Sequence, residues 1–192
     1  MTAKIDILVT DTSPLITLAY GLHLDTLRLP GIRIVIPDAV MFEATRFEYR
    51  FSGAAIFDFT LRNNDLVTTQ VTPTGLEQTE RYHNGQSIKG YGERSALEVL
   101  ETYSEIHPER KMLLLYEDKD VRKRNFIIPE NASAITTGDF LRTLERKNLI
   151  SSASEVFSQA KAHGQNVERN LRETSQRSSV QMLEDHIDHM TR

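Results

Sequence analysis

The chain has 192 residues and no cysteine, which excludes a disulfide framework, thiolate zinc and thiol catalysis. It carries 23 basic against 27 acidic residues, a formal net charge of −4, so a globally basic nucleic-acid coat is excluded while a local basic groove is not. Apolar runs of only a few residues, and Lys4, Asp6 and Asp11 around Ile7-Leu8-Val9, predict neither a membrane span nor a signal peptide, and hence a cytoplasmic protein.

Ile5–Val9 reads as a first strand. It runs into Asp11, after which Ser13 as N-cap and Pro14 at the first position open a helix. Asp11 thus stands at the carboxyl end of a strand, where open parallel sheets bind ligands, although a turn acid capping backbone amides fits equally well. Pro30-Gly31 marks a turn before a second strand, Ile32–Ile36. Asp38 is placed to cap the next helix, and Glu43 falls one to two turns into it, with Arg46 at i+3 as its plainest partner. A third strand, Asp65–Val71, precedes a helix beginning near Thr74, and Asn84-Gly85 marks another turn.

The clearest helix is 93–106, where Ala96, Leu97, Leu100, Tyr103 and Ile106 recur at helical spacing and Pro108 follows as a stop. Glu93 lies in its first turn, favoured there by the helix dipole whatever its role. Gly90 and Gly92 just before it permit close approach of a ligand or of another backbone segment. Met112–Leu115 forms a fourth strand and runs into Glu117, Asp118 and Asp120. Acids so close together raise one another's pKa, a cost that a bound cation would offset. A helix is expected from Asp118. Arg110, Lys111, Lys119, Arg122, Lys123 and Arg124 surround this cluster, either to guide an RNA backbone or to balance the acids. Ala134–Thr136 reads as a fifth strand, followed by a helix from near Gly138.

Beyond residue 150 only helical patterns remain. A serine cluster opens Ser151–Ala162, and Val180, Leu183, Ile187 and Met190 form a thin stripe near the end. The expected organisation is a domain over 1–150 and a C-terminal helical extension over 151–192. A stripe so thin needs cover from the domain or a neighbouring chain, which makes 165–190 a candidate oligomer or partner contact. His186 and His189, with Asp185 and Asp188 nearby, read as surface residues rather than a metal site.

Strands alternating with helices predict an α/β fold, a three-layer α/β/α sandwich on a mainly parallel sheet. Such a sheet would gather the acids at strand exits along one edge. Several carboxylates without a cysteine suit a hard, oxygen-seeking cation, Mg²⁺ or Mn²⁺, and phosphodiester hydrolysis.

These residues resemble the PIN-domain nucleases. The resemblance runs over about 5–150 and lies in Asp11 within Asp-Thr-Ser-Pro-Leu-Ile, Glu43 within Val-Met-Phe-Glu-Ala, Glu93 within Gly-Glu-Arg-Ser-Ala and Asp118 within Tyr-Glu-Asp-Lys-Asp-Val-Arg. Ile135-Thr136-Thr137-Gly138-Asp139-Phe140-Leu141 is similar to that family's last strand and helix. Tyr116 stands where the family commonly has a small hydroxyl residue, and Glu117 or Asp120 could share the role of Asp118. The resemblance implies a PIN-like domain with Asp11, Glu43, Glu93 and Asp118 as catalytic residues, and a metal held by Asp11, Glu93, Asp118 and Asp120. Lys119, Arg122, Lys123 and Arg124 become candidate RNA contacts. It further implies an Mg²⁺- or Mn²⁺-dependent ribonuclease, the toxin of a toxin–antitoxin pair, with an antitoxin protein and a second copy of the chain as partners. A non-catalytic PIN-fold module that binds nucleic acid or protein is the alternative.

Overall fold

The computed structural model describes residues 4–46, 51–117, 127–167 and 174–191. Asp118, Lys119, Asp120, Arg122, Lys123 and Arg124, and the helix expected from Asp118, lie outside the described residues.

Five strands, β1 (Ile5–Thr10), β2 (Arg33–Pro37), β3 (Val67–Gln70), β4 (Lys111–Tyr116) and β5 (Ala132–Thr136), form one parallel sheet in the order β3-β2-β1-β4-β5. Each lies within two residues of its expected ends. From β1 the chain builds outward through β2 and β3, then returns to add β4 and β5 on the other side. The order therefore reverses between β1 and β4, and the crevice beyond their carboxyl ends is where such a sheet receives ligands.

The pleat divides the strands between two apolar layers. Ile7, Val9, Val35, Met112 and Leu114 pack against Ala96, Val99 and Leu100. These belong to the helix Tyr91–Ile106, here α5 because α1 (Thr12–Tyr20), α2 (Asp38–Thr45), α3 (Phe51–Arg62) and α4 (Pro73–His83) precede it. Leu8, Ile34, Ile36, Leu113, Leu115 and Ile135 face the opposite, larger layer with side chains of α1, α2 and α3. That layer also takes side chains of α6 (Thr137–Arg146), α7 (Ala153–Ala162) and α8 (Arg177–Met190). The result is an α/β/α fold. Among the described residues, no helix is long and apolar enough to cross a membrane.

Three local outcomes differ from the sequence reading. Helix α1 starts at Thr12, so Asp11 rather than Ser13 occupies the N-cap position, and its carboxyl group makes no capping bond. Only this one residue separates strand from helix. Helix α3 has no counterpart among the predicted elements. It buries Ile56 and Phe59 while leaving Phe57 and Leu61 more than half exposed. Apolar residues on both its sides, with Gly53 inside, blur the helical period.

The third difference is the tail. Ser152 caps α7 by accepting the Glu155 amide at 3.2 Å, as the serine cluster suggests. In α8, Leu183 and Ile187 are buried in the main core, so the stripe expected to need a partner is largely covered by the chain itself. His186, read as a surface residue, is 1% exposed. Its Nδ1 accepts the Ile5 amide at 3.0 Å and its Nε2 donates to the Pro30 carbonyl at 2.9 Å. A histidine three residues after buried Leu183 thus reaches a backbone amide at the start of β1 and a backbone carbonyl shortly before β2 that would otherwise be buried without partners. Among the described residues beyond 150 there is no strand.

Candidate active site

The Asp11 amide donates to the Leu115 carbonyl at 3.0 Å, tying the end of β1 to the end of β4 across the point where strand order reverses. Glu117 follows β4 directly and is 7% exposed; its Oε2 accepts from Thr17 Oγ1 of α1 at 2.9 Å. Glu43, on α2, is held from three directions. Its Oε2 accepts from Thr12 Oγ1 at 3.0 Å. Its Oε1 accepts from Gln78 Nε2 of α4 and from the Gly92 amide of α5, each at 3.1 Å. Glu93 is the next residue, in the first turn of α5.

Gly92 makes this convergence possible. A Cβ there would come within 2.8 Å of Thr12 Oγ1, 2.9 Å of Glu43 Oε2 and 3.4 Å of Asp11 Oδ1. The Asp11 and Glu43 carboxyl groups therefore close on a spot that a side chain would fill. The glycine pair signals close approach in the sequence, and the segment that approaches is the chain's own acidic edge.

Electrostatics separates this site from ordinary capping acids. Asp11 is 6% exposed, and its pKa is pushed up to about 7. Burial is the main cause; the Thr12 amide opposes it, and the charges of Glu93, Glu43 and Glu117 add to it. Asp139, also an acid just past a strand, behaves oppositely. Burial pushes it up, but the Ser175 amide and Arg142, at 2.8 Å, outweigh that and leave its pKa below the ordinary carboxylate value. Asp139 is thus neutralised inside the fold. Asp11 is instead crowded by further acids.

Of the predicted site residues, the structure brings together Asp11, Glu43 and Glu93, and adds Glu117 as the acid that follows β4. Asp118 and Asp120, with Lys119, Arg122, Lys123 and Arg124, lie outside the described residues. Arg110, grouped with the basic cluster in the sequence, belongs to the other end of β4. It pairs with Asp6 at 3.0 Å, and a strand of this length, about 20 Å, separates it from Glu117. Thr12, Thr17 and Gln78 were invisible as site residues, because single hydroxyl and amide side chains carry no spacing signal. Gln78 is fully buried, and its Oε1 has no hydrogen-bond partner among the described residues.

The donor set fits a hard divalent cation in its chemistry: carboxylates, two of them buried (Asp11 and Glu117) and two half-buried (Glu43 and Glu93), crowded around Asp11, with the oxygens of Asp11 and Glu43 converging at Gly92. Among the described residues, no three histidine, aspartate or glutamate side chains already form a group that could hold an ion.

Fold and site together define the class, a three-layer α/β/α protein with an acidic cluster at the switch point of its parallel sheet. Compared with models of known families, with curated proteins and with solved structures, the chain matches none.

Proposed function

We propose that this chain is a metal-dependent endoribonuclease with a PIN-like acidic edge, hydrolysing RNA phosphodiester bonds with Mg²⁺ or Mn²⁺. The observation that carries the reading is the crowding of buried Asp11 by Glu43, Glu93 and Glu117 at the β1–β4 crevice. Uncompensated, such an arrangement costs stability, and functional sites are where that cost is commonly found.

Asp11 and Glu93 would hold the ion, together with Asp118 and Asp120, which follow Glu117 in the sequence. When bound, the ion supplies neutralisation of phosphate charge and a lowered pKa of water. The chain's own contribution is positioning. Thr12, Gln78 and the Gly92 amide fix the Glu43 carboxylate. Thr17 fixes Glu117, and burial keeps bulk water from Asp11. In the hydrolysis, a water oxygen bonds to phosphorus, the ester P–O bond breaks and a proton passes to the leaving oxygen.

The finer reading, the toxin of a toxin–antitoxin pair acting in the cytoplasm, is supported by the resemblance of the four acidic segments to PIN-domain nucleases. It brings an antitoxin protein and a second copy of the chain as partners. The alternative is a non-catalytic module of the same fold that binds nucleic acid or protein.

The test is cleavage of mixed-sequence RNA with Mn²⁺, with EDTA, and by the Asp11→Asn and Glu117→Gln variants. The reading expects cleavage that needs Mn²⁺ and falls by orders of magnitude in both variants. Cleavage that survives EDTA and both substitutions, or no cleavage and no Mn²⁺ binding by calorimetry, ends it.

A further inference from the structure

We infer that a pocket beside the acidic edge seats one nucleotide of single-stranded RNA, with a phosphate adjacent to the scissile one held by Lys89; the identity of the ligand rests on the ribonuclease reading.

The pocket has a volume of about 330 Å³ and is lined by Glu43, Arg46, Ser87, Ile88, Lys89 and Gly90. Glu43 is the carboxylate held by Thr12, Gln78 and Gly92, so pocket and acidic site share a wall. The opposite character enters through Arg46 and Lys89, two cations beside a cluster of acids. Other cations of the fold are paired with acids, Arg110 with Asp6, Arg142 with Asp139 and Lys147 with Asp188, though not all of them are. Lys89 is exposed and forms no ion pair among the described residues. An unpaired ammonium next to an acidic site suits a ligand that brings its own negative charge.

The wall carrying Lys89 is built into the fold. Ile88, 9% exposed, packs with Ala39 of α2 and Tyr91 of α5. Gly90, at φ +81°, takes the left-handed turn that leads into α5, a conformation open to glycine without strain. Lys89 is thereby fixed between an anchored isoleucine and a defined turn. The volume lies at the lower end of the range of about 300–1,000 Å³ typical of small-molecule sites. That suits one splayed nucleotide with apolar contact to Ile88, which a single strand offers and a paired strand does not.

The experiment measures fluorescence anisotropy of a short single-stranded RNA and of the same sequence as a duplex, on the full chain carrying Asp11→Asn to prevent cleavage, over a range of salt. Adding Lys89→Ala should weaken single-strand binding about three- to tenfold and lower the magnitude of the salt slope by about 0.7, the loss of one phosphate contact in a single strand. Lys89→Arg should retain both. Lys4→Ala, at the opposite end of β1, should change neither. In the cleaving protein, Lys89→Ala should raise KM more than it lowers kcat. Unchanged affinity and slope in Lys89→Ala, or tighter binding of duplex than of single strand, overturns the pocket assignment even if the protein cleaves RNA. A Lys89-dependent slope in a chain that never cleaves RNA supports the pocket and removes the ribonuclease reading.

Discussion

The Gly92 amide donates to Glu43 Oε1 at 3.1 Å, joining the start of α5 to the middle of α2, with Glu43 Oε2 only 2.9 Å from where a Gly92 Cβ would stand. Gly92→Ala must therefore push the Glu43 carboxylate aside. The displaced atoms are the ends of side chains, so the stability cost should be modest, about 1–2 kcal/mol. Cleavage should fall at least tenfold, because Glu43 loses its position. Thermal unfolding and a cleavage assay on the same preparation check this; full activity in Gly92→Ala would show that Glu43 is not needed.

Asp11→Asn should stabilise the metal-free protein. A pKa raised from 3.8 to about 7 means that the folded state favours the protonated form. The penalty on folding is therefore absent below about pH 4, grows as pH rises and is complete above pH 7. A shift of this size corresponds to at most about 4 kcal/mol. In EDTA at pH 8 the variant should melt several degrees above the parent, with the gap closing toward pH 4. Added Mn²⁺ should raise the melting temperature of the parent and not of the variant. A variant less stable than its parent at pH 8 would identify Asp11 as a structural cap.

His186 predicts the opposite pH trend. Burial is the main cause holding its pKa below 6.5, with Lys4 and His189 adding to it and the Pro30 carbonyl opposing it. The folded state thus requires the neutral ring, whose Nδ1 accepts the Ile5 amide. Stability contributed by His186 is present above about pH 6.5 and is lost as pH falls from there toward the folded pKa. His186→Ala should remove that dependence and cost about 2–4 kcal/mol, since a buried amide and a buried carbonyl lose their partner. Denaturant melts at pH 5 and pH 7 distinguish this from a simple cavity, which would cost the same at both.

Gln78→Leu should separate stability from activity. The substitution removes a buried carbonyl oxygen that has no partner among the described residues, and with it one of the three hydrogen bonds to Glu43. An unsatisfied buried polar atom costs about 1–3 kcal/mol, so the melting temperature should hold or rise. The cleavage rate should fall about tenfold at unchanged KM, because Glu43 loses a donor that orients it. A parallel loss of stability and activity would mean that Gln78 serves packing alone.

Much of the architecture was legible because it depends on local order in the chain. Five strands ending at Thr10, Pro37, Gln70, Tyr116 and Thr136 follow from short β-rich runs, set off by turn signals and by the helical patterns between them. Alternation of strand with helix leaves a parallel sheet as the economical arrangement. Helix α3 escaped this reading because Phe57 and Leu61 break its amphipathic pattern by facing solvent. The partners of the tail escaped for another reason. Periodicity shows that Leu183 and Ile187 share a face, and says nothing of which surface covers it.

The same division holds at the candidate site. By itself the sequence determined that Asp11 and Glu117 lie just past strands, Glu93 in the first turn of a helix and Glu43 one to two turns into another, because strand ends and helix starts are local events. Only the tertiary structure decided that Asp11 is buried and crowded by acids while Asp139, in a similar local position, is neutralised by Arg142 and Ser175. It also decided that Thr12, Gln78 and Gly92 hold Glu43 and that Arg110 belongs to Asp6 rather than to the acids. Charge interactions and burial act through space, and residues 31 to 49 positions apart meet at Glu43 only once the sheet and the helices around it have packed together.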